Sequence, residues 1–194
     1  MKSKIQISVL LIFPLLALLA TPSQAAPVCV TFEPPLLLGT TYGAPAGQMS
    51  GDLAFVSNGI RVYVYKFNLI TSGTAFNKAY IDFAPVGFSP GQSIRTNNIN
   101  LLFDFSALGF KPSKVTFSYL DLGGYENLAV NGGSAYVGEL TSAPPVMSGV
   151  SVAVSQTPVP PPMSGKMGMA VLKGTVKSLM IGGQELWIDD VCVE

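Results

Sequence analysis

The chain contains no histidine, and this absence excludes a wide range of chemistry. A Ser-His-Asp triad, a Cys-His nucleophile and a histidine-ligated zinc or copper each need an imidazole as base or ligand. Cysteine is nearly absent as well, with Cys29 and Cys192 the two in the chain. If they pair, thiol catalysis is excluded too. Charge is sparse, with 11 basic and 11 acidic residues among 194. There is one tryptophan and no amphipathic stretch of helical length. What remains is carboxylate, amide, hydroxyl and aromatic chemistry, an inventory suited to hard cations and sugars.

Met1–Ala25 has Lys2 and Lys4, an apolar run from Ile7 to Ala20, and Ser23-Gln24-Ala25 after it. This is the three-part form of a secretory signal peptide, and the run is shorter than the ~20 residues of a spanning helix. Ala26-Pro27-Val28 before Cys29 is not a lipoprotein box, and Val191–Glu194 is not a sorting tail. The expectation is a secreted protein, extracellular or periplasmic, with no membrane anchor. Residues 26–194 are of a length for a single domain. Without Lys2 and Lys4, 11 − 2 = 9 basic residues face 11 acidic ones. A net charge near −2 argues against nucleic acid and anionic membranes as partners.

In an oxidising compartment two cysteines most often pair, the alternative being two buried free thiols. A Cys29–Cys192 bridge would make neighbours of the first strand, Val28–Glu33, and the last. It would close nearly the whole domain, with a chain-entropy ceiling of ~5 kcal/mol.

Turn chemistry recurs about every ten residues. Lys177–Glu194 reads as two strands around Gly182-Gly183, and Asp52–Val56 with Ile60–Leu69 as a hairpin around Asn58-Gly59. Further strands are expected at Lys78–Phe83, Leu101–Phe105, Lys114–Asp121, Glu126–Val130 and Ser134–Leu140, with Asn131-Gly132-Gly133 turning between the last two. Val150–Val154 and Met167–Leu172 are separated by a proline tract that reads as a loop. Pro34–Gly43 and the polar segment Gly87–Asn100 also read as loops. The fold class is all-β: a β-sandwich or barrel with first and last strands adjacent.

The carboxylates are then sorted by placement. If Cys29 faces Cys192 on antiparallel strands, Thr31 falls opposite Asp190, and Glu33 becomes a diagonal neighbour of Asp190. Carboxylates so close repel unless a cation sits between them, and oxygen ligands suit calcium. Alternatively, Glu33 accepts backbone donors while Asp189 and Asp190 are solvated strand ends.

Phe32-Glu33 near the start and Trp187-Ile188-Asp189-Asp190-Val191 in the last strand resemble the ends of galactose-binding-like jelly-rolls, the fold of many secreted carbohydrate-binding modules. The resemblance implies a jelly-roll β-sandwich with a structural calcium held by Glu33 and Asp189, where strict alternation selects Asp190. A bulge in the last strand would reconcile the two.

A sugar site needs an aromatic platform for the apolar face of a pyranose and a few polar groups for its hydroxyls. Candidates are Tyr63 and Tyr65 on the long strand, Tyr119 with Asp121, and the loop Tyr125-Glu126-Asn127, although aromatics at period two are more often core. Trp187 is expected in the core. Three functions compete: a non-catalytic carbohydrate-binding protein with a structural calcium and a glycan partner, a polysaccharide-active enzyme using Asp121 and Glu126 as paired carboxylates, and a structural or adhesive surface protein.

Overall fold

The computed structural model describes residues 26–85 and 87–194. The expected signal peptide, Met1–Ala25, lies outside the described residues. Two antiparallel sheets, not closed on each other, form a β-sandwich. The nine-stranded sheet runs β12 (Val146–Met147), β13 (Val150–Pro158), β14 (Lys166–Lys173), β9 (Lys114–Asp121), β16 (Leu186–Val193), β7 (Gln92–Asn97), β6 (Lys78–Phe83) and β2 (Thr41–Gly43), with β1 (Val28–Val30) also paired to β16. The seven-stranded sheet runs β11 (Tyr136–Gly138), β10 (Glu126–Val130), β15 (Ser178–Gly183), β8 (Ile99–Asp104), β4 (Ile60–Asn68) and β3 (Leu53–Ser57), with β5 (Thr74–Ala75) on β4. From β7 to β10 the chain changes sheet at every step, as it does from β14 to β16, which gives the sandwich its jelly-roll winding. The expected fold class is therefore the observed one.

Period-two alternation builds the core. Val115, Phe117 and Tyr119 of β9 face Val62 and Val64 of β4 and Leu101 and Phe103 of β8 in one buried cluster. The Asn58-Gly59 hairpin forms as expected, with Ser57 opposite Ile60 and both turn residues at positive φ, the geometry of a primed turn. The first and last strands are sheet neighbours with Cys29 opposite Cys192, and the two cysteines are disulfide-bonded.

Four expectations are corrected. The Gly182-Gly183 segment is not a hairpin turn: β15 and β16 lie in different sheets, and the chain crosses between them at Gln184-Glu185. The two glycines are strand residues whose missing side chains let neighbours close in. A Cβ on Gly182 would stand 2.1 Å from the Ile99 carbonyl oxygen, and one on Gly183 2.5 Å from Leu186 Cβ.

The polar segment Gly87–Asn100 is not a surface loop, because it contains β7 between β6 and β16. Its buried hydroxyls are satisfied by neighbouring backbone. Thr96 Oγ1 donates to the Leu186 carbonyl at 3.3 Å and accepts from Gly183 N at 3.0 Å. β13 continues through Pro158, which sits opposite Lys166 at the strand's last position, where no outer partner needs its missing N–H. Finally, the loop Pro34–Gly43 ends in a short edge strand, β2.

Candidate functional site

The sequence candidates fall into three places. The first is the outer face of the seven-stranded sheet. In register, Leu53, Tyr63, Leu102, Met180 and Ala129 form one row across five adjacent strands. Tyr65, two residues beyond Tyr63, projects from the same face opposite Asn100. Both tyrosines are half-buried. Tyr65, Leu102, Met180 and Ala129 line a groove of about 280 Å³, bounded by Gly132 and Gly133 of the β10–β11 turn. The groove exists because β8, β15 and β10 place Leu102, Met180 and Ala129 outward at one level, with Tyr65 of β4 two residues off that level and the glycine turn beside them. Tyr63 and Tyr65 were legible as candidates; Leu102, Met180 and Ala129 were not, since only strand pairing aligns them.

The second place is the end of the sandwich where β9 and β10 finish and begin. Asp121 and Glu126 do come together here, but inside: they are 5% and 1% exposed. Asp121 Oδ1 accepts the Gly123 amide at 2.8 Å, and Glu126 Oε2 accepts the Leu140 amide at 3.2 Å. Burial, then the Asp121 charge, pushes the Glu126 carboxyl up to about 8. Asp121 is also raised, again by burial first. Glu126 Oε1 is buried with no hydrogen-bond partner among the described residues, and an interaction with the Asp121 carboxyl adds to the upward shift of Glu126. Lys166 and Glu139 form an ion pair beside them. The two carboxyls lie buried where β9 of one sheet meets β10 of the other.

Of the other three candidates, Tyr119 and Asn127 are buried and Tyr125 is half-buried. Tyr119 is 1% exposed and donates to Gln156 Oε1 at 3.2 Å. The Tyr125 ring stacks on Phe67 with centroids 5.4 Å apart. Asn127 is buried and brackets Asn68, accepting from its amide at 2.6 Å and donating to its carbonyl at 3.1 Å. Tyr125 and Asn127 thus hold the β4 end, with Tyr125 half-buried, while Tyr119 ties β9 to β13.

The third place is the outer side of the nine-stranded sheet, where Glu33 and Asp189 approach the segment Ser89–Gln92. Glu33 Oε1 accepts the Gln92 amide at 2.7 Å, and Asp189 Oδ2 accepts the Ser89 hydroxyl at 2.5 Å. The bulge foreseen in the last strand is present: the β16–β9 register shifts between Asp189 and Cys192, and Asp190 takes φ 49°. With the bulge, Asp189 is buried and Asp190 is exposed, so of the two carboxylates offered it is Asp189 that lies inside with the Ser89 hydroxyl. Phe32, at φ 60°, turns the chain out of the ladder after Val30, which places Glu33 beside Gln92. Burial is the main cause that raises Asp189 to about 6, with the charges of Asp190 and Glu33 adding to it. The amide oxygen of Gln92, whose amide nitrogen reaches toward Glu33 Oε2 at 3.5 Å, is buried and has no partner among the described residues. Among the described residues no group of three or more His, Cys, Asp or Glu is arranged to hold a metal ion. The oxygen set here is two carboxylates with Ser89 and Gln92, and sequence reasoning missed both of the latter because neither carries a motif.

Trp187 is buried as expected, though outside the main core. It packs with Leu120 and Val159 in a second cluster on the outer side of the nine-stranded sheet, and the Arg95 guanidinium lies 4.3 Å from its ring centroid.

No family model, curated protein or solved structure matches this chain. The fold defines a class, an all-β sandwich with its first and last strands bridged.

Proposed function

We propose that the protein is a secreted, non-catalytic carbohydrate-binding protein of the galactose-binding-like jelly-roll type. The observation that carries this reading is the pair Tyr63 and Tyr65, half-buried on one outer sheet face beside the groove lined by Tyr65, Leu102 and Met180. Half-buried rings on a rigid strand give a flat platform at little entropic cost, and the C–H face of a pyranose stacks on it. The disulfide supports export, because such bonds persist in oxidising compartments. The enzyme alternative rests on Asp121 and Glu126, whose burial leaves no room for a glycosidic bond between them. The adhesive alternative would use the same apolar face against another surface.

A structural calcium belongs to this reading. Glu33 and Asp189 supply two anionic oxygens, and the unpartnered Gln92 amide oxygen is a neutral acceptor of the kind calcium takes. A glycan array and a reducing-sugar assay on one preparation test the function. Retention on a recognised glycan should fall about tenfold or more in Tyr63→Ala/Tyr65→Ala, the equivalent of ~1.4 kcal/mol, while the fold is kept. Sugar release by the wild type would favour the enzyme, and no binding to any glycan would favour the adhesive protein.

A further inference from the structure

A further cavity lies away from all of these places. It lies at the end of the sandwich where β8 finishes and β9 begins, opposite the buried carboxyl pair, and measures about 420 Å³. Phe105, Leu108, Phe110, Pro112 and Val176 form its apolar lining. Phe105 and Val176 belong to the main core, so the floor is the end of the core itself and is fixed by its packing. Phe110 is 42% exposed, an aromatic wall left in water at the mouth.

Two cations line the same cavity, Lys111 and Lys177. Both are exposed, and among the described residues neither forms an ion pair. The nearest acid in sequence, Asp104, is turned to its own loop, accepting from Ser106 N at 2.9 Å and Ser106 Oγ at 3.0 Å. Lys114 close by is paired with Glu194. The cavity thus combines an apolar floor with unpaired positive charge, in a chain that is otherwise poor in charge. Its volume is in the range of small-molecule sites, which are largely apolar with a few orienting polar groups.

We propose that this cavity binds an amphipathic monoanion, an apolar body of about ten carbons ending in a carboxylate. The apolar body fills the space against Phe105, Leu108 and Val176, and the carboxylate stays at the mouth between Lys111 and Lys177. A wholly apolar ligand leaves both ammonium groups unused, and a cation is repelled by them. The site is separate from the tyrosine face and does not depend on the glycan reading.

Decanoate is the test ligand, titrated calorimetrically into the folded protein below the concentration at which decanoate self-associates. One-to-one saturable binding is expected, with decanol weaker by about tenfold and decyltrimethylammonium weaker still. Lys111→Glu/Lys177→Glu changes only exposed side chains. It should weaken decanoate by about tenfold and abolish the preference over decanol. Amide chemical-shift mapping with decanoate should move Leu108, Phe110, Thr175 and Val176, leaving Tyr63 and Tyr65 unmoved. The proposal is overturned by absence of saturable binding, by equal affinity for decanoate and decanol, or by shifts centred on the tyrosine face. A concentration-dependent dimer lost in Phe110→Asp would also overturn it, because the occupant would then be a second copy of the chain.

Discussion

Tyr125 is stacked on Phe67 with ring centroids 5.4 Å apart, and its hydroxyl accepts the Ile70 amide at 3.0 Å. One side chain from the start of β10 thus holds both the end of β4 and the loop that follows. Tyr125→Ala is expected to lower stability by ~2–4 kcal/mol, as loss of a packed aromatic does, and Tyr125→Phe by only ~0.5–1.5 kcal/mol, the net worth of one hydrogen bond. Urea unfolding of the two variants checks this; equal, negligible losses would show that the ring is a free surface group.

Glu126 should make the fold pH-sensitive in an unusual direction. Its folded value, about 8, lies above its ordinary 4.5, so between those values the native state binds more protons than the unfolded chain. Stability from this group is complete below pH 4.5 and is lost as pH rises through about 8. Asp189, raised from 3.8 to about 6, acts with the same sign over a lower window. In Glu126→Gln the amide can still accept from Leu140, with nothing left to ionise. Chemical denaturation from pH 5 to 9 should show a falling slope in the wild type and a flatter one in the variant. A wild-type slope that rises over this range would contradict the assignment.

If calcium sits between Glu33 and Asp189, the metal stabilises by mass action, about 2.7 kcal/mol at a hundredfold excess over its dissociation constant. EDTA should lower the melting temperature of the wild type and leave Asp189→Asn unaffected, while Asp190→Asn responds like the wild type because Asp190 is exposed on the bulge. A melting curve indifferent to EDTA, in protein free of metal by elemental analysis, would remove the site.

Gly182 has no room for a side chain. Besides the Ile99 carbonyl, an added Cβ would meet Asn100 Oδ1 at 2.5 Å and Asn100 Cα at 2.7 Å, and backbone on a central strand cannot step aside. Gly182→Ala should cost ~1–3 kcal/mol through overpacking, even though it replaces glycine in a strand. A more stable variant would mean that β8 and β15 can separate locally.

Much of the architecture was legible because it depends on local rules. Val115, Phe117 and Tyr119 alternate inward as their spacing says, Asn58-Gly59 makes the primed turn its composition requires, and two cysteines in a chain with no others had one partner each to find. The candidate site was less legible. Tyr63 and Tyr65 could be named, but their neighbours Leu102 and Met180 come from strands whose pairing leaves no mark in either segment. Asp121, Tyr125, Glu126 and Asn127 looked like a polar loop cluster because a run of polar residues beside Gly123-Gly124 carries no sign of what packs over it.

The sequence by itself determined the strand class and the turn chemistry at Asn58-Gly59, since alternation and positive φ are properties of a residue and its immediate neighbours, and it indicated the disulfide because the chain has only two cysteines. Only the tertiary structure decided which sheet each strand joined, and with it the meaning of several residues. Gly182-Gly183 became a close-packing strand instead of a turn because β15 and β16 belong to opposite sheets. Polar Gln92–Asn97 became an inner strand because Thr96 and Ser93 find backbone acceptors on neighbouring strands. Asp189 was buried in place of Asp190 because one residue, Asp190, entered the left-handed region and broke the alternation. Each of these outcomes rests on a contact between residues distant in the chain, whose burial and hydrogen bonding outweigh local preference.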